Sequence, residues 1–77
     1  MQISKIQNRL KRIEGQIRGV EEMVSILRPT DDIIIQLSAI RSAVDSLLIN
    51  IVEDEIEQAD RDRLLRLKRT LKRMIKS

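Results

Sequence analysis

Apolar residues recur along this chain at alternating intervals of three and four. In the first stretch Ile3, Ile6, Leu10, Ile13, Ile17, Val20, Val24 and Leu27 form one stripe, the period of a helical bundle or coiled-coil seam. It predicts a helix from about Gln2 or Ile3 to Arg28. A second stripe, Ile33, Leu37, Ile40, Val44, Leu47 and Ile51, runs through the segment from Thr30 to Glu57. Beside it lie Ile34, Ala39, Ala43, Leu48, Val52 and Ile56, which widen the apolar surface well beyond the roughly 100° expected of a helix with water on its other side. Such a helix needs neighbours on more than one flank. A chain of 77 residues supplies few of them, so the segment reads as the centre of an assembly and not only of one subunit.

A third, shorter stripe of Leu64, Leu67, Leu71 and Met74 predicts a helix from about Arg61 to Lys76, with a break before it around Gln58 to Asp62. Pro29 ends the first helix, and Thr30 is placed to cap the second, with Asp31 and Asp32 at its positive end. So short a connection makes the two long helices antiparallel neighbours, each about 40 Å long at 1.5 Å per residue. Gly15 and Gly19 lie inside the first helix and face the same way. Each costs about 1 kcal/mol relative to alanine there, so a packing notch with close helix contact is expected to compensate. The reading is one all-α domain over residues 1–77, without internal repeats or linkers.

Composition narrows the chemistry. The chain has no Cys, His, Phe, Tyr or Trp. That excludes disulfides, thiolate or imidazole metal ligands, the usual nucleophile and base arrangements, and aromatic stacking on nucleic-acid bases. An aliphatic core in so short a chain is marginal by itself, and oligomerisation is the remaining source of stability. No catalytic role is expected. No apolar run reaches the roughly 18 residues that span a membrane, and no signal-peptide core opens the chain, so a cytoplasmic protein is expected.

The formal net charge of +3 is unevenly spread: +3 over residues 1–28, −7 over residues 29–60 and +7 over residues 61–77. Two basic ends frame an acidic middle, so a polyanion would meet basic surfaces while the central helix stays inside. Lys5, Arg9, Arg12 and Arg18 lie off the apolar stripe of the first helix at steps of four, three and six, so most of them can share an exposed strip. Such a strip is either a solvated face or a surface for phosphates, which gives salt-dependent and mostly sequence-independent affinity. Arg41, the sole basic residue in the second helix, either pairs with Asp45 one turn on or projects to a surface of the assembled bundle. Asp31, Asp32, Glu53, Asp54, Glu55 and Glu57 read first as solvated helix ends, and secondly as a carboxylate site for a hard cation.

The run RLKRIEGQIRG at Arg9 to Gly19, with Glu21-Glu22-Met23-Val24 after it and QLSAIRSAV at Gln36 to Val44, resembles a known family. It is that of the small helical metal- and formaldehyde-responsive repressors, which includes the copper-sensing operon repressor and the nickel/cobalt and formaldehyde regulators. The resemblance runs from about Ser4 to Glu57, and the third helix follows in order. It implies two chains in an antiparallel four-helix bundle, with dimers pairing into tetramers, and binding of double-stranded operator DNA to repress an operon until an inducer binds. It also implies DNA contacts at Arg9 and Arg12 and at Arg41 in the second-helix motif.

The family's sensing positions are substituted. Its cysteine at the start of the second helix falls on Thr30, and its two later ligands fall on Glu55 and Ala59, none of which supplies thiolate or imidazole. The transition-metal site is therefore not retained, and no cofactor is expected. The resulting expectation is a homodimeric or homotetrameric DNA-binding repressor without the usual inducer site. The rivals are a helical interaction protein forming mixed oligomers with a ligand-bearing paralogue, and a hard-cation sensor built on Glu55 and neighbouring acids.

Overall fold

A computed structural model describes residues 2–76 as three helices, α1 (Ile3–Ser25), α2 (Thr30–Gln58) and α3 (Arg61–Lys76). The start of α1 lies beside the end of α2, so the two long helices form the expected antiparallel hairpin. Its core is small. Ile13 and Val20 of α1 meet Ile40 and Leu47 of α2, with Ile6, Ile33, Ala43 and Ile51 packed around them.

The apolar stripe of α1 therefore splits into two rows of heptad spacing. Ile6, Ile13 and Val20 turn toward α2, whereas Ile3, Leu10, Ile17 and Val24 lie beside them, 45–63% exposed. On α2 the same split leaves Leu37, Val44 and Leu48 38–50% exposed. At about 100° per residue Leu10 lies some 40° to one side of Ile6, and Val44 some 40° to the same rotational side of Ile40. Because the helices are antiparallel, these two rows come out on one face of the hairpin. That face is apolar and open.

Three terminal details differ from the sequence expectation. α1 stops at Ser25, three residues early, because Leu27 takes a left-handed conformation with φ 57°. The Arg28 N–H then donates to the Met23 carbonyl at 2.9 Å and the Leu27 N–H to the Val24 carbonyl at 3.2 Å, the paired bonds of a Schellman ending. A glycine would have announced this turn in the sequence; leucine hides it. Leu27 thus leaves the helical stripe and is 88% exposed. Replacing it by glycine removes the cost of a Cβ in left-handed backbone, and Leu27→Gly is expected to raise stability by about 1 kcal/mol in urea unfolding. A drop in stability instead would mean that the leucine side chain is buried in an assembly.

The second difference is the start of α2. Pro29, with φ −54° and ψ 140°, occupies the cap position and Thr30 is the first helical residue, with no side-chain cap bond. The proline ring already holds the φ that a cap requires, and the Pro29 carbonyl accepts the Ile33 N–H at 3.3 Å. Third, Gly15 and Gly19 make no close helix contact within the chain: apart from the adjoining backbone of α1 and the neighbouring residues, no atom comes within 4 Å of where a Cβ would stand on either. Both are turned away from Ile13 and Val20, toward the outer surface of α1.

α3 begins after Ala59, whose extended backbone (φ −81°, ψ 144°) breaks α2 within the expected Gln58–Asp62 interval. Asp60 then caps it by accepting the Arg63 N–H at 2.9 Å. No residue of α3 is buried, although Leu67 and Leu71 are half-buried along its predicted stripe.

Candidate nucleic-acid interface and the former ligand positions

Heptad geometry that sends Leu10 to one side of Ile6 sends Arg9 to the other, by about 60°, with Lys5 and Arg12 beyond it. These three basic residues share one flank of α1, on the side of the hairpin away from the open apolar face. Arg9 is half-buried, whereas Lys5 and Arg12 are exposed. Lys5 and Arg9 border a groove of about 290 Å³ between the start of α1 and the end of α2, whose other wall is Asn50, Glu53, Asp54 and Glu57 and whose floor is Ile6 and Leu47.

The other two candidates lie elsewhere. Arg18 is on the outer surface of α1 with Glu14, Ile17 and Glu21. Arg41 is exposed beside the apolar row of Leu37 and Leu48, and the ion pairs among the described residues do not join it to Asp45. One chain therefore gathers Lys5, Arg9 and Arg12 on one flank and leaves Arg18 and Arg41 off it.

The three substituted sensing positions are also separated. Thr30 and Glu55 stand near opposite ends of α2, about 38 Å apart at 1.5 Å per residue, so they cannot meet in one chain. Thr30 is exposed and Ala59 ends α2. Glu55 is engaged: Arg63 Nε donates to its Oε1 at 2.9 Å and Arg63 Nη2 to its Oε2 at 2.9 Å. This fork joins the last turn of α2 to the first turn of α3. With the two side chains 24% and 48% exposed, solvent screening limits it to about 0.5–1 kcal/mol, and its effect is to orient α3. Among the described residues no group of three or more Asp, Glu, His or Cys is placed to hold a metal ion.

Sequence reasoning singled out Glu53, Asp54 and Glu57 as acids but not the groove they share with Lys5 and Arg9, which depends on how the two helix ends lie side by side, nor the fork on Arg63, which depends on the turn at Ala59. A third feature had a signal in the sequence. Gln16 stands three residues after Ile13 on the inner side of α1, and its Oε1 is buried without a hydrogen-bond partner among the described residues. The signal was a polar side chain at heptad spacing from Arg9.

The family profile described as "Metal-sensitive transcriptional repressor" matches residues 2–77. The copper-sensing transcriptional repressor CsoR of Bacillus subtilis (strain 168) is 47% identical over 49 residues, covering 64% of this chain and 48% of that protein. The copper-sensing transcriptional repressor RicR of Mycobacterium tuberculosis (strain ATCC 25618 / H37Rv) is 35% identical over 48 residues, covering 62% of this chain and 50% of that protein. The matched segment thus spans about half the length of these curated relatives. No solved structure matches the chain.

Proposed function

The chain belongs to the metal-sensitive transcriptional repressor family, and from that premise we propose that it binds double-stranded operator DNA as a homo-oligomer and represses transcription without a Cys/His inducer site. The family is one of regulators and not of enzymes. The observation that carries the DNA half is the flank of Lys5, Arg9 and Arg12, which leaves basic side chains on the side of the hairpin that the apolar face does not use. Arg18, Arg41 and the basic surface of α3 extend the positive field once copies are combined. Phosphate contacts and groove shape would then dominate recognition, because the two long helices form a hairpin and not a helix-turn-helix.

Self-association is supported by area. The chain exposes 6626 Å², against roughly 4,900 Å² for a compact folded chain of its mass. The Cα envelope measures 50 × 30 × 13 Å, a single layer of helices, whereas stable domains pack at least two. A second copy laid on the open face, pairing the rows of Leu10 and Val44 with their own symmetry mates, makes an antiparallel four-helix bundle of the kind ordinary dimer interfaces of about 800 Å² per partner stabilise. Dimers pairing further would form a tetramer. Among the described residues no helix is long and apolar enough to cross a membrane, and the reading places the protein in the cytoplasm with its DNA.

The test is binding to a duplex from the protein's own upstream intergenic DNA, against a scrambled duplex, across a range of salt. Preference for the upstream duplex that persists at physiological salt is the expected result. Equal, steeply salt-dependent binding to both, or none, would favour an interaction protein that pairs with a paralogue.

A further inference from the structure

The groove between the start of α1 and the end of α2 has walls of opposite charge. Lys5 and Arg9 stand on one side, Glu53 and Glu57 on the other, above an apolar floor of Ile6 and Leu47. These four form no ion pair among the described residues, so their charges are not matched across the groove. Among the described residues the carboxylates form no group of three placed to hold a metal ion. What suits them is a larger cation such as an ammonium group, which donates hydrogen bonds in several directions. The basic wall suits a carboxylate, most of all through the planar fork of Arg9.

We propose that this groove binds a small zwitterion of the amino-acid class, with its carboxylate on Lys5 and Arg9, its ammonium on Glu53 and Glu57, and its methylenes over Ile6 and Leu47. A cavity of about 290 Å³ is at the lower end of the range for small-molecule sites, which fits a metabolite of a few carbons. The groove lies on the side of the hairpin away from the open apolar face, so it stays accessible when that face is covered. A regulatory consequence follows, and this part rests on the DNA reading above. The ligand's carboxylate occupies Lys5 and Arg9, two of the three basic residues on the DNA flank, so the ligand and the operator compete for the same side chains, and the ligand acts as an inducer where the family's usual site is gone.

The experiment titrates the 77-residue chain with γ-aminobutyrate, butyrate and butylamine at constant ionic strength, following amide and side-chain NMR signals without DNA. Saturable shifts confined to the groove are expected with γ-aminobutyrate, and at least about tenfold weaker binding with either singly charged analogue, since each lacks one of the two charged ends that the walls hold. Glu53→Gln with Glu57→Gln, two exposed positions near the end of α2, is expected to bring γ-aminobutyrate down to the level of butyrate with the fold unchanged. Equal weak responses to all three compounds, or shifts outside the groove, would overturn the site. Displacement of the upstream duplex by γ-aminobutyrate is read separately: its absence in a protein that binds both would overturn the inducer role. A protein that binds γ-aminobutyrate but no DNA would overturn the repressor reading and leave the site standing.

Discussion

Arg9→Ala combined with Arg12→Ala is expected to weaken binding to the upstream duplex by at least about a hundredfold, taking each charged hydrogen bond at 1.5–3 kcal/mol. The two side chains stand on one flank of α1, and in an oligomer every copy is stripped of both at once. The dependence of affinity on salt should flatten in step, by about 0.9 in the log–log slope for each phosphate no longer neutralised. Two controls separate this from unfolding. Thermal stability should fall little, because Arg12 is exposed and only the stem of half-buried Arg9 contributes packing. Self-association should be unchanged, because neither residue is on the open apolar face. Lys11→Ala, off the flank, should affect binding less. If the double variant keeps full affinity, the DNA surface lies elsewhere, and α3 with its seven exposed Arg and Lys residues between Arg63 and Lys76 becomes the next place to look.

The second large effect concerns the open face. Val44 is 45% exposed in the single chain, so Val44→Glu would cost an isolated chain little. In a symmetric dimer each copy presents the same patch, and two carboxylates would be carried into one apolar interface without partners, a cost of several kcal/mol. The expected result is a monomer by sedimentation and a large drop in thermal stability, since the chain's own core consists of Ile13, Val20, Ile40 and Leu47 and little else. Leu47→Ala, which opens a cavity inside that core, should cost about 2–5 kcal/mol without altering the interface directly. An unchanged sedimentation profile for Val44→Glu would remove the four-helix bundle from the reading.

Much of this was legible in the residues. The stripes predicted three helices, and their ends fell within a few positions of the observed ones; the largest miss, Leu27, came where a left-handed turn is made without the glycine that signals it. The notch expected at Gly15 and Gly19 does not receive α2, since helix periodicity gives their common direction but not what stands there. Of the candidate basic residues, Lys5, Arg9 and Arg12 came together as their spacing allows. Arg18 did not, because six residues from Arg12 carry it about 120° farther around the axis, although the two are near in sequence.

What the sequence alone determined is helical class, the antiparallel hairpin, the family motifs and the absence of thiol and imidazole chemistry at Thr30, Glu55 and Ala59. Each of these follows from residue identity or from spacing along one helix. The tertiary structure decided which apolar row meets α2 and which stays open, that Glu55 is taken up by Arg63, and that Lys5 and Arg9 face Glu53 and Glu57 across a groove. The reason is geometric: spacing specifies the angle of each side chain about its own helix, whereas the partner at that angle depends on the turn at Leu27–Pro29, which sets how α2 lies against α1.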